Sequence, residues 1–124
     1  MQTINNIRIL ILFITLLLLS GCEYDTIDPD FLPPLPPDEE ISFSQDIQPI
    51  FTSNCLQCHD GGLDPDLRSG NAYQSLQDDN YINLPNPSDS KIYTILNKSS
   101  HQSRTNAKEK QMILQWITQG AKDN

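Results

Sequence analysis

The chain has 124 residues, enough for one domain, and carries 16 acidic against 8 basic side chains for a formal charge of −8. That balance excludes a basic nucleic-acid surface. From Glu23 to Glu40 there are seven carboxylates and no Lys or Arg, whereas the chain from Ile41 onward carries nine acidic and seven basic side chains, so an acidic segment precedes a nearly neutral domain.

At the N-terminus, Ile9 to Leu19 is apolar apart from Thr15 and follows Arg8. This has the pattern of a secretory signal h-region and is too short for a comfortable membrane span. Leu19-Ser20-Gly21-Cys22 resembles a bacterial lipobox, which makes Cys22 the expected lipidated first residue of the mature chain; an uncleaved anchor is the competing reading. The expected organisation is a lipoprotein signal peptide over 1–21, a lipid-anchored linker over 22–40 and a folded domain over 41–124. The linker holds five of the nine prolines, including Pro33-Pro34-Leu35-Pro36-Pro37. Such a composition favours an extended, self-repelling spacer of about 3.1 Å per residue.

The domain is expected to open with a helix from about Ile47, capped by Asp46, with Pro49 where no intrahelical amide bond is needed. Ile47, Ile50 and Phe51 share one face. That helix leads into Cys55-Leu56-Gln57-Cys58-His59, a C-x-x-C-H run that reads as a c-type haem attachment site. Two thiols at this spacing can add to the two vinyl groups of one haem, and the next histidine can give its imidazole to the iron. Three other readings compete. A zinc half-site needs four ligands, and only His101 remains to join these three. A thioredoxin-like redox pair needs a βαβ surround that the pattern lacks, and a plain structural disulfide needs no histidine. The cysteine count fits haem: one cysteine for lipid and two for porphyrin leave no free thiol in an oxidising compartment.

After His59, Gly61-Gly62 ends the helical path. Turn signals at Asp64-Pro65 and Ser69-Gly70 predict loops with a short helix near Asn71 to Gln77, with Tyr73, Leu76, Tyr81, Ile82 and Leu84 as wall residues. Asp78-Asp79 suits a solvated turn better than a calcium loop. Ser88 is the expected cap of a helix from Asp89 to Asn97 with Ile92, Ile95 and Leu96 on its buried face. Asn97 to Thr105 is a polar loop containing His101. The last helix carries a capping box, Asn106 with Glu109, an apolar face of Met112, Ile113, Trp116 and Ile117, and Gly120 at its C-terminal cap. No strand pattern competes, so the fold class is all-α. A domain of this size is marginal from protein contacts alone, and a covalent haem would supply an apolar centre.

Phe43 to Ala121 resembles a family of small bacterial c-type cytochrome domains. The likeness is carried by Asp46-Ile47-Gln48-Pro49-Ile50-Phe51, the haem motif, Gly61-Gly62-Leu63-Asp64, Pro87-Ser88-Asp89-Ser90-Lys91-Ile92-Tyr93 and Gln115-Trp116-Ile117-Thr118-Gln119-Gly120-Ala121. It implies a cytochrome c fold around one covalent haem c, with Cys55 and Cys58 as clamps, His59 as proximal iron ligand, and the first and last helices crossing beside the ring. The sequence departs from the family at the sixth ligand. Many such domains carry His-Met-Pro-Pro before the last helix, where this chain has Ser100-His101-Gln102-Ser103-Arg104-Thr105. Met112 lies on an apolar helix face and suits core packing. His101 is the candidate distal ligand, another group or water in that position and a site open to exogenous ligand being the alternatives.

The resemblance implies an electron carrier outside the cytoplasm rather than an enzyme, serving redox partner proteins that the sequence does not name. The chain would reach the membrane through Cys22 and face the periplasm or the cell surface. Two alternatives stand beside it. One is a five-coordinate haem serving as ligand sensor or weak peroxidase, with His101 and Arg104 as an acid–base pair. The other is a degenerate haem domain acting as an interaction module.

Overall fold

The computed structural model describes residues 35–124, together with Asn6 and Pro33. The expected signal peptide apart from Asn6, Cys22 and most of the expected linker therefore lie outside the described residues. The all-α expectation holds. The described residues form four α-helices and no strand: α1 (Gln48–Asn54), α2 (Ala72–Asp78), α3 (Lys91–Ile95) and α4 (Ala107–Thr118). A π-helical turn, Phe43–Ile47, runs directly into α1, and a 3-10 turn, Pro87–Asp89, precedes α3.

The first helical segment starts earlier than Asp46. Ser42 is the N-cap, its Oγ accepting from the Gln45 amide, while Asp46 Oδ2 accepts from the Ser42 amide at 2.8 Å. Asp46 thus serves the cap from inside the first turn, leaving fewer free amides at the helix start. Pro49 sits in the first turn of α1, as expected. In α3 the cap moves from Ser88 to Ser90, and the helix ends at Ile95. The Ser90 hydroxyl is fully buried and accepts from the Asn83 amide at 2.9 Å, tying the preceding loop to the helix start.

The last helix follows its sequence signals closely. Asn106 Oδ1 accepts from the Glu109 amide and Glu109 Oε2 accepts from the Asn106 amide, completing the capping box. Gly120 closes the helix at φ +100°. Ile113, Trp116 and Ile117 are fully buried, and Met112 packs on the edge of the same core. The segment 43–47 packs against α4 through Phe43, whose ring lies 5.2 Å from that of Trp116 and 5.4 Å from that of Tyr73, centroid to centroid. Of the expected wall residues, Leu76 and Tyr81 are buried and Tyr73 and Ile82 partly so, but Leu84 is exposed. It follows the turn at Asn83, which carries the chain outward into the Pro87 segment.

Contacts with α4 begin before Ile41. Leu35 packs against the core, Gln115 Nε2 donates to the Pro36 and Glu39 carbonyls, and Gln119 Nε2 donates to the Glu39 carbonyl at 2.7 Å. Residues 35–40 therefore lie along the last helix.

Candidate functional site

A cavity of about 430 Å³ opens between the end of α1, the loop after it, α3 and the loop before α4. Cys55, Cys58, His59 and His101 all line it. The sequence separates His59 from His101 by two helices, and the fold brings both to the lining of one space. Their rings lie 6.3 Å apart, centroid to centroid, with an interplanar angle of 42°. Leu67, Ile92, Ile95 and Leu96 supply much of the apolar wall. Met112 is not among the lining residues, consistent with its packing in the core.

His59 is held by its own chain. The Leu67 amide donates to the His59 carbonyl at 2.9 Å, folding residues 60–66 back over the ring. His59 Nδ1 lies 3.1 Å from the Pro65 carbonyl and 3.3 Å from that of Leu63. A carbonyl only accepts, so these contacts favour the proton on Nδ1, the tautomer that keeps its lone pair on Nε2, the nitrogen a metal would take. The loop has its own brace. Asp66 accepts from Arg68 through two nitrogens, Nε at 2.9 Å and Nη2 at 2.7 Å, and from Asn71 at 2.8 Å. The Arg68 guanidinium holds the Asp66 carboxyl well below the usual carboxylate range, with Asn71 helping. Gly61 has φ +97°, which favours glycine, and an added Cβ would meet Arg68 Nη2 at 2.6 Å, so the guanidinium would have to shift.

The His101 side is built more lightly. His101 Nδ1 pairs with Ser100 Oγ at 2.8 Å; with the hydroxyl accepting, Nε2 again keeps its lone pair. Arg104 also lines the cavity, and its Nη1 donates to Gln57 Oε1 at 3.1 Å.

The two thiols differ. Cys58 is exposed and Cys55 half-buried, and both are free. Burial first, and then the Glu109 carboxylate, push the Cys55 thiol up to about 11, with Arg104 opposing. Cys55 sits at the C-terminal end of α1, where the helix dipole also disfavours a thiolate. A redox C-x-x-C pair relies on the opposite arrangement, a thiol lowered at a helix N-terminus. Structural zinc also needs deprotonated cysteines, and among the described residues no three His, Cys, Asp or Glu side chains group closely enough to share a metal ion. The arrangement suits a broad apolar ligand that meets the cysteines and the histidines at separate points.

An open groove of about 310 Å³ between Leu35, Pro37 and α4 is lined by no titratable side chain. The chemistry of the described residues gathers at the first cavity. Sequence reading finds its two cysteines and two histidines but misses the carbonyls of Leu63 and Pro65, the Asp66–Arg68 brace and the Gln57–Arg104 bond. Every residue has a carbonyl, so only the Asp64-Pro65 turn signal pointed toward that loop.

No protein-family model, curated protein or solved structure matches this chain.

Proposed function

We propose that the chain is a single-haem c-type cytochrome, carried as an exported lipoprotein on a Cys22 anchor, that passes electrons to and from partner proteins outside the cytoplasm. The observation that carries this reading is the pair His59 and His101, whose rings lie 6.3 Å apart in a cavity also lined by both cysteines of the C-x-x-C-H run.

The residues fit the group. Two imidazoles that each reach a common metal ion through one nitrogen at about 2 Å have ring centres about 6 Å apart, and the observed separation is 6.3 Å. The cavity volume lies within the range of about 300–1,000 Å³ common for bound cofactors. A porphyrin supplies four of the iron's ligands, so the protein need supply only axial ones, in keeping with donors that do not cluster. When bound, haem contributes a one-electron Fe(III)/Fe(II) couple.

The chain's own side chains do the rest. Cys55 and Cys58 anchor the ring through sulfur. The Pro65 and Leu63 carbonyls orient His59 and raise its basicity as a ligand. His101 would be the second histidine to hold the iron, and Leu67, Ile92, Ile95 and Leu96 would shield the haem from water. An iron with no methionine ligand is expected at lower potential than a His/Met one. The five-coordinate sensor or peroxidase alternative would need room for an exogenous ligand beside His101, and the 6.3 Å separation of the two rings favours the two-histidine reading over it.

Absorption spectra of the natively matured protein test the reading. A six-coordinate, low-spin spectrum in both oxidation states that carbon monoxide alters only slowly is expected. A high-spin ferrous spectrum with rapid carbon monoxide binding would move the assignment to the sensor or peroxidase class.

A further inference from the structure

We infer that Arg104 is a positioning residue that latches the His101 loop shut over the haem-binding loop. The inference rests on the proposed haem and on His101 as its second axial ligand. The loop from Asn97 to Thr105 is a chain of local turns: the Lys98 amide donates to the Ile95 carbonyl, the His101 and Gln102 amides to the Lys98 carbonyl, and the Arg104 amide to the His101 carbonyl. These bonds shape the loop, and from α4 Lys110 Nζ donates to the Gln102 carbonyl at 3.5 Å. Ser100 orients the His101 ring from within the same loop and adds no outside attachment.

Among the described residues, the one hydrogen bond that joins this loop to the segment carrying Cys55, Cys58 and His59 is Arg104 Nη1 to Gln57 Oε1, across 47 positions of sequence. Arg104 lies three residues after His101, and its amide is bonded to the His101 carbonyl, so the backbone that carries the guanidinium is tied to that of His101. On its other side the chain is fixed by the buried Thr105 and the Asn106 capping box. Arg104 therefore stands between a rigid helix start and the histidine. Its bond to Gln57 makes the opposite wall of the cavity the reference point for the loop. Gln57 occupies one of the two variable positions inside the C-x-x-C-H run, so that position acquires a role that covalent attachment does not require.

Opening this latch raises the fraction of molecules in which His101 is away from the iron, and an exogenous ligand reports that fraction through its apparent rate of binding. Carbon monoxide binding to the reduced, full-length holoprotein is measured for wild type, Arg104→Ala, Gln57→Ala, the double variant and Arg104→Lys. Each single alanine variant is expected to bind carbon monoxide about 2- to 10-fold faster, the effect of one hydrogen bond. The double variant is expected to match the singles rather than multiply them. Arg104→Lys should recover part of the slow binding. Gln57 is exposed, so its substitution tests the same bond without depending on how Arg104 variants fold. A wild type that stays low-spin, with variants that bind carbon monoxide at the wild-type rate or with multiplicative effects, would overturn the latch alone. A wild type without a low-spin haem would overturn the proposed function and the latch with it.

Discussion

The two walls of the cavity are built on different plans. On the His59 side the imidazole is held by two carbonyls of its own loop, that loop is closed by the Leu67 amide, and the Asp66–Arg68–Asn71 cluster braces it again. On the His101 side the imidazole has one neighbouring serine, and one arginine ties its loop to the opposite wall. A ligand whose orientation is set several times over tolerates loss of any single contact. One set by a single bond is open to adjustment. On the proposed haem reading, the near wall would keep a metal ligand in place, and the far wall would decide how firmly His101 is held beside it.

The largest expected effect comes from exchanging the two histidines in turn. His59→Ala should abolish stable low-spin haem, whereas His101→Ala should retain covalent haem and change only its spin state and ligand binding, as read by pyridine haemochrome yield and absorption spectra. Equal loss of haem from both variants would remove the asymmetry between the walls.

Next in size is the scaffold both walls share. Trp116→Ala empties the space beside Phe43, and because Trp116 is fully buried a loss of about 3–5 kcal/mol is expected in denaturant unfolding. Both walls should weaken together. Gly61→Ala is expected to cost about 1–2 kcal/mol from backbone conformation, and it also displaces Arg68 from Asp66. Its effect should fall on the His59 side, visible as faster hydrogen exchange at the Leu67 amide with little change in carbon monoxide binding.

The smallest effect concerns pH. The Asp66 carboxyl is held below its ordinary value in the folded chain, so its contribution is fully present above about pH 4. That contribution is lost as pH falls through the folded value. Asp66→Asn should therefore melt slightly below wild type at pH 7, and the gap should close as the solution is acidified past pH 4. A gap that widened in acid would contradict the brace.

What the sequence made legible follows how local each signal is. The capping box of Asn106 and Glu109 spans three residues, and α4 was read with its cap, apolar face and terminal glycine in place. The C-x-x-C-H run is equally local, and its residues were found whole. The first α-helix begins at Gln48, close to the expected Ile47, but Asp46 is not its cap: a π-helical turn precedes it, capped by Ser42 with Asp46 reaching back to the Ser42 amide. Leu84 was placed in the wall by hydrophobicity alone, which cannot reveal that the chain turns outward there. The carbonyls on His59 and the Arg104–Gln57 bond had no signature, because the first are common to all residues and the second joins positions far apart in sequence.

The account stands on an iron porphyrin bound through Cys55 and Cys58. Intact-mass measurement of the full chain, produced together with a cytochrome c maturation system, tests this most directly. One covalent haem per polypeptide, lost when Cys55 and Cys58 are both replaced by alanine, is the predicted result. A chain of unmodified polypeptide mass beyond its lipid that nonetheless unfolds cooperatively would contradict the account.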